Sequence, residues 1–176
     1  MSDILYLLKK IRYDAIIDIG DNMEIIIKKA TINELKILQE LWNELFTAQY
    51  EYDKDLKVDW PLTVDGENYL RKMVENEIVY LAYFFDKPVG YIDGSYSKDF
   101  PFLNKKVAEI NFMYVREEYR GNNIGSLLIN EFKKECNIKG IYSYDVSVYC
   151  KNIKGIKFYE KNGFDKELDI TLSCDN

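Results

Sequence analysis

The sequence contains no histidine. This absence excludes Ser-His-Asp and Cys-His catalysis, zinc bound by paired histidines, and haem held by a proximal histidine. Acid–base chemistry must therefore come from carboxylates, tyrosine, lysine or cysteine. Cysteine is also scarce, and Cys136, Cys150 and Cys174 form no C-x-x-C pair. We expect reduced thiols in a cytosolic protein, and neither a disulfide framework nor a zinc site.

Long hydrophobic runs are missing as well. The longest, residues 78–85, has eight residues, whereas a membrane-spanning helix needs roughly 18 to 20. The first residues include Asp3 and no basic lead-in, and Lys9 and Lys10 interrupt the apolar stretch too early for a secretion signal. We therefore predict a protein that stays in the cytoplasm.

Basic residues are fewer than acidic ones. The chain has 24 Lys and Arg and 30 Asp and Glu, which gives a formal net charge of -6. Such a field repels nucleic acid and anionic membranes, so we expect neither as a partner. The 176 residues, of which 47% are hydrophobic, suffice for one domain with its own core. We predict an N-terminal extension of uncertain structure over residues 1–22, closed by a Gly-Asp-Asn turn, and a single domain over residues 23–176.

Local patterns predict the elements of this domain. A capping box at Thr31 and Glu34 precedes an apolar stripe, which predicts an amphipathic helix over residues 31–46. Residues 78–85 and 89–96, separated by a short Asp-Lys-Pro connection, predict an antiparallel hairpin. The remaining predicted elements are a strand near residues 25–27, a short helix over 67–75, strands at 107–115, 142–149 and 167–173, and helices from 124 and over 153–161. This order indicates an α/β fold (α+β mixed sheet), predominantly antiparallel with a parallel crossover in the second half.

Two motifs in the second half carry chemical information. Residues 115–128 join a strand to a helix through a loop rich in Gly and Asn. Such a loop can turn its backbone N–H groups onto an anion at the positive end of the helix, although the same residues also suit any tight turn. It has neither the Gly-Lys-Ser/Thr ending of a P-loop nor the dinucleotide pattern G-x-G-x-x-G. Downstream, Asn152 precedes Tyr159 within F-Y-E-K-N-G-F at residues 158–164.

Together these motifs resemble the GNAT superfamily of acyl-CoA-dependent N-acetyltransferases, over about residues 23–164. The resemblance implies a three-layer GNAT acyltransferase fold. It also implies direct transfer of an acetyl group from acetyl-CoA, as cosubstrate, to a primary amine, with no metal and no covalent enzyme intermediate. A non-catalytic acyl-CoA-binding or regulatory module with the same fold is the alternative, and a homodimer is left open.

The resemblance places the coenzyme A pyrophosphate on the backbone amides of the loop. The family pattern is Arg/Gln-x-x-Gly-x-Gly/Ala, and Asn123 stands where the first glycine is usual. Asn is the next best residue for left-handed geometry, so the loop can keep its shape. The predicted cofactor-binding residues are Met113, Val115, Arg120, Gly121, Asn122, Asn123, Ile124, Gly125, Ser126 and Asn152.

The resemblance also implies a base at Glu109. A lysine-like amine has a pKa of about 10.4 and must lose a proton before it can attack. The offset from Glu109 to Arg120 is similar to that of the glutamate base in histone-type members, and strand alternation puts Glu109 on the face of Met113 and Val115. A solvated or ion-paired Glu109, or a water chain with no single base, is the alternative. Asp93 and Asp145, both on predicted strands, are reserve candidates.

Tyr159 is the predicted acid. A neutral tyrosine, with a pKa of about 10, can donate to a departing thiolate, whose parent thiol has a pKa of about 8.5. The alternative is a core tyrosine that only packs. Cys150 lies close to Asn152 but has no activating partner, so we expect a buried thiol rather than a nucleophile.

The acceptor side is outlined by the acidic segment 51–65, in and beside which Tyr50, Tyr52 and Trp60 are interleaved. It follows the first helix, where members of the superfamily build the acceptor wall. Its charge favours a cationic acceptor, such as a polyamine, an aminoglycoside-like amine or a protein amine. A solvated loop in an acidic protein is an equal alternative.

Overall fold

A computed structural model describes residues 15–18, 24–96 and 105–166 of the chain. Within these ranges, six strands form one sheet in sequence order. The strands are β1 (Ala15–Asp18), β2 (Glu24–Lys29), β3 (Ile78–Phe84), β4 (Lys87–Ser95), β5 (Val107–Val115) and β6 (Ser143–Val146). The α-helices are α1 (Leu35–Gln49), α2 (Val64–Asn76), α3 (Ile124–Ile138) and α4 (Ile153–Lys161).

The sheet is antiparallel from β1 to β5, and β5 and β6 are parallel. The chain crosses from β5 to β6 through α3, which confirms the predicted mixed sheet with one parallel crossover. Helices cover both faces and make three layers. One core lies under α1 and α2 and contains Leu38, Trp42 and Leu70, while the other lies under α3 and includes Leu128 and Phe132.

The start of α1 follows from the capping box. The Thr31 hydroxyl accepts from the Asn33 amide at 3.3 Å, and Glu34 Oε2 accepts from the Thr31 amide at 2.9 Å. These bonds satisfy amides that the first turn leaves without a helical partner. A short 3-10 turn over Ile32–Glu34 leads into the helix, which continues past the predicted end to Gln49.

Other boundaries differ from the prediction for local reasons. Helix α2 begins earlier, at Val64, because the Thr63 hydroxyl accepts from the Gly66 amide at 3.1 Å. Strand β6 is shorter than predicted and ends at Val146. The predicted strand at residues 167–173 lies outside the described residues, as does most of the predicted extension. Within that extension, β1 pairs with β2, and the domain boundary at residue 22 stays a prediction.

A β-bulge in β5 changes which side chains share a face. Phe112 pairs with Asp93, but Ile110 pairs with Gly94, so Asn111 is an extra residue in β5. An extra residue reverses the alternation of side chains along the strand. Ile110 therefore packs in the same core as Met113. The expectation that Glu109 shares the face of Met113 and Val115 was wrong, because strand alternation does not continue across the bulge.

Among the helices of the described ranges, none combines the length and the apolar character needed to cross a membrane.

Candidate active site

A cavity of about 1550 Å³ opens where β5 and β6 separate. The two strands pair only from Val107 with Ser143 to Ile110 with Val146. Beyond that point, the rest of β5, beginning with the bulge at Asn111, separates from the loop that follows β6. Both segments line the cavity. The end of α1, the start of α3 and the inner face of α4 complete the wall. The cavity is thus built at the place where the sheet splits.

The loop between β5 and α3 lines this cavity and leads into the first turn of the helix. Asn123 has φ +63°, the left-handed conformation expected of it, and immediately precedes α3. The first helical bond runs from the Leu127 amide to the Asn123 carbonyl at 3.1 Å. The amides of Ile124, Gly125 and Ser126 precede it, and all three residues line the cavity. This geometry can hold an anion at the positive end of the helix.

Arg120 and Asn122 hold the loop in different ways. The Arg120 guanidinium donates from Nε to the Val115 carbonyl at 2.8 Å, lies over the Tyr114 ring at 5.8 Å, and lines the cavity. It therefore places a positive charge beside the helix start. The Asn122 side chain donates to the Tyr119 carbonyl at 3.1 Å and does not line the cavity. Its part in holding a cofactor stays a prediction, because the observed bond braces the loop.

Glycine at position 125 lets α4 approach the start of α3. A Cβ there would lie 2.8 Å from Phe158 Cζ and 3.8 Å from Met113 Cε. Asn152 begins α4, since its Oδ1 accepts from the Gly155 amide at 2.9 Å. Met113, Val115 and Asn152 all line the cavity.

Tyr159 lines the cavity from α4 and packs edge-on against Phe158 and Phe164, with ring centroids 5.3 and 5.5 Å away. Burial raises the pKa of its phenol, and the carboxyl of Asp93 raises that pKa further. The phenol is therefore protonated at neutral pH, as a hydrogen-bond donor to a leaving group must be.

Glu109 is placed differently from the other predicted site residues. In the sheet it lies between Ser95 of β4 and Asp145 of β6, and it does not line the cavity. The structure thus brings Tyr159, the loop and the end of β5 together and leaves Glu109 aside. Its assignment as base stays a prediction.

Asn111 and Tyr149 are among the cavity residues that the sequence analysis missed. Asn111 lines the cavity only because the bulge displaces it. Tyr149 also lines it, stacks on Tyr52 at 5.7 Å and donates its hydroxyl proton to Asp53 Oδ2 at 3.0 Å. Nothing local in the sequence indicates either contact, since both depend on distant pairing.

Cys150 is exposed and lines the cavity, so the expectation of a buried thiol was wrong. The reason is that β6 ends early and leaves Cys150 in the loop before α4. Cys136, in contrast, is buried, and burial raises the pKa of its thiol to about 12. In the described ranges, no group of three or more His, Cys, Asp or Glu side chains could hold a metal ion.

Only the first part of the acidic segment 51–65 reaches the cavity. Glu51 and Tyr52 line it, and Asp53 is attached to it through Tyr149. Trp60 instead packs edge-on against Tyr69 at 5.6 Å. One end of the cavity therefore carries carboxylates and aromatic rings, and the Arg120 guanidinium lies close enough to act electrostatically on Tyr52 there.

Comparisons with known proteins agree with this architecture. The sequence profile of the acetyltransferase (GNAT) family matches residues 35–164. Over 157 residues the chain is 31% identical to spermidine N(1)-acetyltransferase of Thermoplasma acidophilum, covering 82% of this chain and 91% of that protein.

Solved structures share the fold. One is the PaiA N-acetyltransferase from Thermoplasma acidophilum in complex with coenzyme A, with a TM-score of 0.69 and 24% identity, covering 82% of this chain and 92% of that one. Another is an aminoglycoside acetyltransferase from an uncultured soil metagenomic sample in complex with sisomicin, with a TM-score of 0.66 and 20% identity. That match covers 86% of this chain and 95% of the other.

Proposed function

Because the chain belongs to the acetyltransferase (GNAT) family, it is an N-acetyltransferase that uses acetyl-CoA, and we propose that its acceptor is a primary amine of a small polycation such as a polyamine. The observation that carries this proposal is the acidic and aromatic end of the cavity, formed by Glu51, Tyr52, Asp53 and Tyr149. Carboxylates and ring faces are the groups that attract an alkyl ammonium. The relative that acts on spermidine supports the same acceptor class.

The loop residues fit the phosphate end of acetyl-CoA. Free amides at the start of α3 and the charge of Arg120 suit a pyrophosphate. The half-buried strand end at Met113 and Val115 offers a wall along which the thioester arm can lie, leading toward Tyr159. Acetyl-CoA supplies the activated acetyl group, and the chain supplies its position relative to the amine.

In this proposal, Tyr159 stabilises the leaving thiolate. Its raised pKa makes full proton transfer to a thiolate uphill, so donation of a hydrogen bond is the larger part of its role. The phenol passes its proton to sulfur only as the carbon–sulfur bond breaks and as it takes a replacement proton from the acetylated nitrogen. The bound ammonium must lose its extra proton before the nitrogen can attack, which requires a base elsewhere in the site.

The test is a panel of acceptors with purified protein and acetyl-CoA, containing spermidine, an aminoglycoside, a lysine peptide and a simple monoamine. Acetylated product is measured by mass spectrometry, because the exposed thiol of Cys150 would disturb a thiol-based assay. We expect spermidine to have a kcat/KM at least about tenfold above the monoamine, equal to roughly 1.4 kcal/mol of extra binding from its second charge.

A lysine peptide or monoamine that matched spermidine would contradict the polycation proposal. Tight coenzyme A binding without acetylation of any amine would instead support the non-catalytic module. Cytoplasmic location and a homodimer stay predictions.

A further inference from the structure

The buried polar atoms without a hydrogen-bond partner form one cluster. In the described ranges they are Trp42 Nε1, the Tyr91 hydroxyl and both carboxylate oxygens of Asp93. Tyr91 and Asp93 lie on the same face of β4, and the Trp42 and Tyr91 rings are 6.3 Å apart. Asp93 is completely buried. Burying a carboxylate this completely is costly even with donors near it, so its presence calls for a functional reason.

Asp93 lies directly behind the wall of the cavity. It pairs across the sheet with Phe112, at the bulge that displaces Asn111. Both Asn111 and Phe112 line the cavity. The Asn111 side chain, the Trp42 indole and the Phe112 amide are donors near enough to favour the ionised form of Asp93. The bulge therefore connects this carboxyl with the space where acetyl transfer is proposed.

We infer that Asp93 receives the proton of the acceptor amine, by way of water beside Asn111. The inference rests on the proposed function. The ammonium gives one proton through water to an Asp93 oxygen, and the lone pair that is freed forms the carbon–nitrogen bond with the acetyl carbon. The carbon–sulfur bond breaks, and its electron pair stays on sulfur, which takes the proton of Tyr159. The second proton lost by nitrogen restores Tyr159, and the proton on Asp93 leaves to solvent.

The surroundings make Asp93 a stronger base than an exposed aspartate. Burial raises the pKa of Asp93 well above its ordinary value, and Glu77, which follows α2, raises it further. Tyr69 from α2, Tyr91 from β4 itself and Tyr159 from α4 also face it, as neutral phenols with raised pKa values. An arriving ammonium acts in the opposite direction and favours the carboxylate, so binding of the acceptor prepares the base.

The experiment compares Asp93→Asn with Glu109→Gln in the full chain, using spermidine across pH 6 to 10. Asp93→Asn keeps the shape of the side chain but removes proton acceptance. We expect kcat/KM to fall by about 10²-fold or more at neutral pH, and the loss to shrink as the amine deprotonates unaided. Glu109→Gln gives a smaller loss that does not change with pH. Asp86→Asn, in the exposed turn between β3 and β4, is the control for carboxylate removal.

Stability supplies a readout that does not need activity. Because the folded-state pKa of Asp93 is raised, the folded protein binds more protons than the unfolded chain above the ordinary aspartate pKa of about 3.9. The stability associated with Asp93 is present below that pH and is lost as pH rises toward the raised value. The Tm of the parent should therefore fall relative to that of Asp93→Asn as the pH rises above about 4.

The possible outcomes distinguish failure of the proposed function from failure of the role of Asp93. A parent that acetylates no amine overturns the proposed function, and this inference with it. An active parent with Asp93→Asn at the parent rate, or with a loss equal at every pH, overturns the role of Asp93 alone. A recoverable loss in Glu109→Gln and none in Asp93→Asn assigns the proton to Glu109. Should Asp93→Asn fail to fold, Asn111→Leu, which blocks the way to Asp93, must show the same pH-dependent loss, and a parent-like rate overturns the inference.

Discussion

Asn123 shows how one side chain sets the shape of a binding loop. It has a positive φ at the position where the family pattern has glycine. Asparagine tolerates this conformation at a small cost, whereas branched side chains do not. The loop therefore keeps the geometry that its amides need, although the pattern is broken.

Replacing Asn123 tests this account. Asn123→Gly should bind coenzyme A as the parent does, because glycine adopts the same φ without strain. Asn123→Val should weaken binding by about tenfold, since left-handed backbone costs such a residue about 1–2 kcal/mol. Calorimetric titration with coenzyme A measures both variants. Equal affinities in the two would mean that the left-handed residue does not set the phosphate site.

Tyr159→Phe removes one oxygen and keeps the ring contacts with Phe158 and Phe164. We expect coenzyme A affinity to stay near the parent value and kcat to fall by about 10²-fold or more. The loss should persist at high pH, because the phenol acts in its protonated form. Steady-state kinetics against pH gives the answer, and a parent-like kcat would remove Tyr159 from the reaction.

At the scale of elements, local sequence patterns were sufficient to predict the bounds of several strands and helices. The predicted bounds of β5 and α4 are those observed, and the capping box marks the start of α1. The bulge at Asn111 could not be predicted, because it depends on how β5 pairs with β4 and leaves no local pattern. For the same reason, alternation placed Glu109 on the wrong face, while Asp93 remained a reserve candidate.

The candidate site, like the elements, was predictable where its residues belong to local sequence motifs. The loop after β5 and Tyr159 belong to contiguous motifs, and both line the cavity. The contact of Tyr149 with Asp53 joins segments distant in the sequence, and no spacing rule indicates it. Residues in contiguous motifs could therefore be predicted from the sequence, whereas contacts between distant segments could not.

The junction of α3 and α4 provides a prediction for two elements. In Gly125→Ala, the added Cβ meets the Phe158 ring and pushes the helices apart. We expect a loss of about 1–3 kcal/mol in the free energy of unfolding, the usual cost of overpacking, together with weaker coenzyme A binding. Chemical denaturation and titration with coenzyme A measure the two effects.

The matched control reduces the size of the side chain that the new Cβ meets, at Phe158. Gly125→Ala combined with Phe158→Leu should recover part of both losses, because the smaller side chain accommodates the new methyl group. Purely additive losses would show that Gly125 matters for a reason other than its contact with Phe158.

For the whole molecule, the net charge of -6 acts in concert with the acidic end of the cavity. A polycation is attracted over a distance that salt shortens to about 10 Å at 0.1 M ionic strength. Raising the salt concentration should increase the KM for spermidine more than the KM for a monoamine, with kcat little changed. If salt raised the two KM values equally, long-range electrostatic attraction would not contribute to the preference for spermidine.

The split between β5 and β6 also has a consequence for how the sheet behaves during turnover. Beyond Ile110, one edge of β5 has no strand beside it in the described part of the chain, and it borders the cavity instead. A thioester arm with amide groups, lying along that edge, would stand in for a missing neighbour strand. Each catalytic cycle would then complete the sheet when the donor enters and reopen it when the product thiol departs, which makes the donor a temporary part of the fold.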